Sequence, residues 1–212
     1  MVVLGVDLRS SEKHESSIAS ISPQSLSLDS IQSFKTDGDL LAIINECKPQ
    51  LVAVGTPLSL PKGMCCLDQK CACESENKER KGRQCEIELA QMGISCFFTS
   101  KGSIISSLIY RGMKIRQDIE RIGFDIVEVY PYASKVVLFG DSVPPKNNPA
   151  SIKFMKEKLP SLINGLEEYL DNIDINECDA ILNSYTAALH CSQATDVMGA
   201  DPEGLLAIPR LL

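Results

Sequence analysis

Long apolar runs are missing from this 212-residue chain. Stretches such as Leu51–Val54 fall far below the ~20 residues a membrane-spanning helix needs, so no membrane segment is expected. A basic, cleavable leader is missing too: MVVLGVD runs straight into a strand pattern, and a cytoplasmic location is expected. Basic residues are outnumbered, 21 Lys and Arg against 28 Asp and Glu, for a formal charge of −7. That balance argues against a general nucleic-acid coat protein, which neutralises phosphates with an overall basic surface. It leaves room for an enzyme that sets a local basic track beside an acidic centre. Neither a G-x-x-x-x-G-K-S/T loop nor a G-x-G-x-x-G turn occurs, which removes P-loop and dinucleotide readings. Histidine is scarce, with only His14 and His190. Without a Ser-His-Asp or Cys-His pairing, nucleophilic triad chemistry has no support.

What remains is an ordinary soluble composition, 44% hydrophobic and 23% charged, able to bury a core. Val2–Asp7 reads as a buried strand, and Ser16–Ser22 and Leu26–Phe34 alternate apolar and polar residues around Pro23, suggesting an antiparallel meander. Asp37-Gly38-Asp39 then starts a helix with Leu40, Leu41, Ile43, Ile44 and Cys47 on one face, and Leu51–Val54 suits a central strand. A meander followed by a helical crossover predicts an α/β fold with a mixed sheet. Further on, the pattern predicts a helix over Cys85–Met92, a short strand over Ser95–Thr99 and a long helix over Ser103–Ile122. A strand at Asp125–Tyr130, two helices over Ser151–Leu170 broken at Pro160, a helix over Asn176–Cys191 and a strand or extended tail at Leu205–Ile208 complete it. One domain over 1–212 with an insert at about 62–85 is the simplest account.

Three acids are oddly placed for structural carboxylates. Asp7 ends the first strand, Glu128 interrupts an apolar strand, and Asp179 opens the last helix. A buried acid must be paired, hydrogen-bonded or bound to a cation. On the last helix Asn176, Asp179, Asn183, Thr186 and His190 share a stripe about 80° wide, without Lys or Glu, which suits the lining of a cleft. Phosphodiester hydrolysis gives converging carboxylates a purpose, because Mg²⁺ or Mn²⁺ held by Asp and Glu can activate water and stabilise a leaving oxygen. Basic residues cluster in Lys78–Arg83 and on the long helix, where Arg111, Lys114 and Arg121 share a flank.

Nine cysteines in a chain with no export signal favour metal binding over disulfides. Five of them are spaced Cys65-Cys66-x4-Cys71-x-Cys73-x11-Cys85. Four thiolates suit tetrahedral Zn²⁺, and an iron–sulfur cluster also takes four, so both remain open. Cys47, Cys96, Cys178 and Cys191 lie on apolar faces and read as core.

The segments VVLGVDLRSS, TPLSLPKG, IVEVYPYASKVVL, ECDAILNSYTAAL and DPEGLLAIP resemble, in order and content, the predicted nucleases of the domain-of-unknown-function 429 family. The last-helix pattern is also similar to that of Holliday-junction resolvases. The resemblance implies an RNase H-like fold, a mixed five-stranded sheet flanked by helices, here with a small Cys-rich metal-binding insert. It implies a Mg²⁺- or Mn²⁺-dependent nuclease acting on DNA or RNA, with Asp7, Glu128 and Asp179 as catalytic metal ligands and Glu203 as a further family acid. Thr56, Arg111, Lys114, Asn183 and His190 are the candidate substrate-binding residues. Where the family carries an Asp in a D-x-P-L pattern, this chain has Gly55-Thr56-Pro57-Leu58. The alternative is a non-catalytic nucleic-acid- or protein-binding module with a decayed site and a structural metal knuckle.

Overall fold

A computed structural model describes residues 1–76, 81–140 and 142–210. Lys78 and Arg80 of the basic run lie outside the described residues. The order is β1 (Val3–Asp7), β2 (Ser16–Ser22), β3 (Ser27–Phe34), α1 (Asp37–Cys47), β4 (Val52–Val54), α2 (Gln84–Gln91), α3 (Ser106–Arg121) and β5 (Ile126–Val129). Then come α4 (Pro131–Phe139), α5 (Ala150–Lys158), a 3₁₀ turn at Leu159–Ser161, α6 (Ile175–Cys191), β6 (Thr195–Gly199) and β7 (Leu205–Pro209).

The sheet is mixed, as expected, but has seven strands rather than five, in the order β3-β2-β1-β4-β5-β7-β6. The meander β1-β2-β3 is antiparallel, and β1, β4, β5 and β7 run parallel. The two added strands form a hairpin whose β7 extends the sheet beside β5, pairing Glu128 with Leu206. The segment TDVMG of β6 has too little apolar alternation to announce a strand; pairing along β7, from Thr195 opposite Pro209 to Gly199 opposite Leu205, makes it one.

Strand alternation sorts the β1 side chains onto two faces. Leu4 and Val6, with Val52 and Val54, pack under Leu40 and Ile44 of α1 and Ile115 and Ile119 of α3. Val3, Ala53 and Val129 face Ala180, Ile181 and Ala187 of α6 and Met155 of α5. A third cluster joins Cys85 and Leu89 of α2, Ala133 of α4 and Leu206 and Ile208 of β7. The chain is thus a sheet with helices on both faces.

Both α1 and α6 begin with capping boxes, Thr36 with Asp39 and Asp174 with Glu177. Pro131 starts α4, an unforeseen helix, at a position where the missing N–H costs nothing. The expected strand Ser95–Thr99 is irregular, because the Thr99 amide and hydroxyl bond the Glu86 carboxylate at 2.7 and 2.5 Å instead of a strand. Beyond the 3₁₀ turn at Pro160 the second expected helix gives way to turns. Among the described residues no helix is long and apolar enough to cross a membrane.

Candidate active site

Helix α6 reaches Asp7 because β1 offers it a glycine. A Cβ on Gly5 would overlap the Ser184 amide nitrogen and the Ala180 carbonyl oxygen, so the helix backbone rests directly on the strand. The Asn183 amide fixes this contact by donating to the Val6 carbonyl at 2.9 Å. One turn earlier on α6, Asp179 arrives beside Asp7 at the end of β1. Both carboxylates are buried and border a cleft of about 760 Å³.

A single ammonium joins them. Lys146 Nζ lies 2.9 Å from Asp7 Oδ2 and 2.8 Å from Asp179 Oδ2. Lys135, buried on α4, places its ammonium 2.5 Å from the other Asp179 oxygen, Oδ1. That contact lacks hydrogen-bond alignment but is close enough to act as an ion pair. Burial pushes the Asp7 carboxyl up from 3.8 to about 6; Lys146 opposes the shift and the neighbouring Asp179 charge adds to it. For Lys146 burial works against the charged form, yet the Asp179 and Asp7 carboxylates outweigh it and raise its affinity for the proton.

Glu128 borders the same cleft but is already committed. Arg83 grips it with two bonds, Nη1 to Oε2 at 2.7 Å and Nη2 to Oε1 at 2.6 Å, and the Leu58 amide donates to Oε2 at 2.8 Å. Arg83 Nε also pairs with Glu86 at 2.9 Å. A fully buried guanidinium thus joins the start of α2 to β5. Among the described residues the only group of three or more potential ligands gathered closely enough to hold one metal ion is made of cysteines. Asp7 and Asp179 come together; Glu128 stands apart behind Arg83.

The candidate substrate-binding residues scatter. Thr56 borders the cleft, buried and with its hydroxyl unbonded. Arg111 is away from it: its guanidinium bonds Asp37 at 2.8 Å and the Arg9 carbonyl at 2.8 Å, joining α3 to α1 and the β1–β2 loop. Lys114 reaches Asp118 at 2.8 Å and Asp37 at 3.3 Å. Both charges therefore serve helix packing. Asn183 gives its amide nitrogen to the Val6 carbonyl and leaves its buried oxygen unbonded, and His190 contacts the Thr195 hydroxyl at 2.9 Å, with burial lowering its pKa. Of the polar stripe on α6, Asp179 alone lines the cleft; Thr186 meets Ser134 of α4 at 3.2 Å. At Gly55 a Cβ would stand 2.6 Å from the Asn183 side-chain nitrogen and 3.2 Å from Pro131, so a larger residue there requires Asn183 to shift.

Sequence reasoning missed Lys135, Lys146 and Arg83. A lone Lys in the apolar helical stretch ASKVVL was a usable signal for Lys135. Arg83 was hidden in a run of charged residues, and nothing local marks Lys146 in PPKNNP.

Four cysteines gather in the insert. Cys65 and Cys71 have sulfurs 3.7 Å apart, Cys66 and Cys73 3.9 Å, and all four lie within 4.8 Å of one another. Cys85 is a correction: it is fully buried in α2 within the third core cluster, because the apolar face of that helix carries it away from the loop. Glu203 closes the insert at its base, accepting from the Lys62 amide at 3.0 Å and the Gln84 amide at 2.8 Å.

No family model matches the chain, and no curated protein matches it. The resemblance to the domain-of-unknown-function 429 family rests on its motifs alone. Among solved structures the chain is similar to Thermus thermophilus RuvC, at 11% identity and a TM-score of 0.47, over 91% of this chain and 97% of that one. It is similar too to T. thermophilus RuvC in complex with Holliday junction substrate, at 12% identity and 0.45, over 91% and 96%. At such identity and overlap neither assigns a role to any residue here.

Proposed function

We propose that the chain is a divalent-metal-dependent nuclease, hydrolysing phosphodiester bonds in DNA or RNA at the Asp7–Asp179 pair. The observation that carries this is the shared ammonium: two buried carboxylates from distant parts of the sequence face one cation position. The order β3-β2-β1-β4-β5, antiparallel and then parallel, supports an RNase H-like reading of the sheet.

The donor set fits Mg²⁺ or Mn²⁺. Both are oxygen-seeking ions, and Mg²⁺ commonly takes one or two carboxylates and leaves its other positions to water and substrate phosphate. Asp7 and Asp179 would hold it at the position Lys146 takes. When bound, the ion would activate water and offset the charge developing on the phosphate. Lys146, half-exposed on the loop after α4, would swing out and meet a phosphate oxygen. Lys135 holds Asp179 in place through its second oxygen. With its carboxyl near 6 in the metal-free site, Asp7 would be deprotonated at neutral pH and available to the ion. Glu128 acts as a positioning residue, holding Arg83 in the cleft wall.

One observation favours the second reading, a non-catalytic nucleic-acid-binding module: Lys135 and Lys146 already neutralise both aspartates. The two part experimentally. Purified protein with Mn²⁺ is offered single-stranded, duplex, hybrid and branched substrates. The nuclease reading predicts cleavage that falls at least about 100-fold in Asp7→Asn and Asp179→Asn, a size typical of losing a metal ligand or its orienting partner. Binding without metal-dependent turnover on any substrate supports the module instead.

A further inference from the structure

We infer that Cys65, Cys66, Cys71 and Cys73 bind one Zn²⁺ ion as a four-thiolate tetrahedron, and that this ion is the core of the insert, pinning it against α3. The geometry separates a single ion from a cluster. A tetrahedral site with Zn–S bonds of about 2.3 Å puts its sulfurs about 3.8 Å apart, and the Cys65–Cys71 and Cys66–Cys73 pairs here are at 3.7 and 3.9 Å. An iron–sulfur cluster sets two or four irons and their sulfides among its thiolates, which needs more room than the 4.8 Å that encloses all four sulfurs here. The same distances exceed the ~2.05 Å of a disulfide, and all four cysteines are free.

The insert needs such a centre. From residue 62 to 76 Leu67 is the only buried residue, and the described segment forms neither helix nor strand. A stretch so poor in apolar burial has little core of its own, and metal coordination would supply one. Charge also fits, because four thiolates around Zn²⁺ leave a net −2, and the Lys101 ammonium sits on the knuckle, donating to the Cys71 carbonyl.

The knuckle is tied to α3 and to the loop before it. The Leu67 amide donates to the Tyr110 hydroxyl at 2.6 Å, and the Gly102 amide to the Leu67 carbonyl at 3.0 Å. Tyr110 belongs to α3, whose Leu108 borders the cleft. Glu203 holds the base of the insert and the ion holds its tip. The site stands independently of the nuclease reading.

The test uses the full chain purified without chelator under reducing conditions. Elemental analysis is expected to give one zinc per chain, retained in Cys85→Ala and lost in Cys66→Ser and Cys73→Ser. Because a Ser variant can fail to fold, the wild-type protein is also stripped and refilled with Co²⁺. Intense visible bands of tetrahedral thiolate-bound cobalt, saturating at one equivalent, are expected. In limited proteolysis, stripping should expose the 62–76 segment to cleavage while the rest of the chain stays intact. Substoichiometric zinc with free or disulfide-bonded cysteines would overturn the inference. So would iron and sulfide in cluster ratio, octahedral cobalt spectra, or loss of zinc in Cys85→Ala.

Discussion

Asp7 is held under opposing influences: burial and the Asp179 charge disfavour its ionised form, while Lys146 favours it. A carboxyl raised from 3.8 to about 6 binds its proton more tightly folded than unfolded. It therefore costs stability as pH rises through that window, and the cost is fully present at pH 7. Asp7→Asn removes the charge and keeps the shape, so it is expected to melt no lower than wild type at pH 7, with any advantage shrinking towards pH 4. Thermal denaturation at the two pH values checks this, and a clearly lower melting temperature at pH 7 would count against the account. Residues of this kind were partly legible. Asp7 stood out at the end of a strand and Asp179 on the polar stripe of the last helix, and both line the cleft. Glu128 stood out inside an apolar strand, but the sequence could not show that Arg83, 45 positions away, answers its charge. For Arg111 and Lys114 the sequence showed a basic flank but not that it meets Asp37 and Asp118.

At the scale of elements, the contact between β1 and α6 builds the site. Gly5 sits against the Ser184 and Ala180 backbone, and backbone cannot rotate away as a side chain can. Gly5→Val should push the helix off the strand and cost about 3 kcal/mol or more, at the upper end for overpacking a core. Urea denaturation measures it. An unchanged midpoint would mean that α6 has slack the structure does not show. Both elements were legible, β1 from its apolar run ending in an acid and α6 from its periodicity. The polar stripe of α6 was also legible, but not its destination. Asn183 and Thr186 turn inward to Val6 and Ser134, because a polar face can be buried wherever its neighbours supply partners. Strand β6 and helix α4 escaped notice, one because pairing with β7 creates it, the other because its start coincides with Pro131.

The whole molecule sets an acidic chain around a cleft whose own acids are paired with cations. Lys135, Lys146 and Arg83 answer Asp179, Asp7 and Glu128 inside a protein of formal charge −7. Composition showed the excess of acid but not this internal balance, which arises only when segments as distant as Asp7 and Lys146 meet. The balance also sets what a metal must overcome. A divalent ion entering between Asp7 and Asp179 has to displace the Lys146 ammonium, so the lysine is a competitor for the site.

That competition can be measured through Mn²⁺ binding, followed by electron paramagnetic resonance on the zinc-loaded chain. The account predicts one oxygen-ligated Mn²⁺ site that disappears in Asp179→Asn and binds at least about tenfold more tightly, about 1.4 kcal/mol, in Lys146→Ala. Equal Mn²⁺ binding in all three proteins, or none in any, would contradict it.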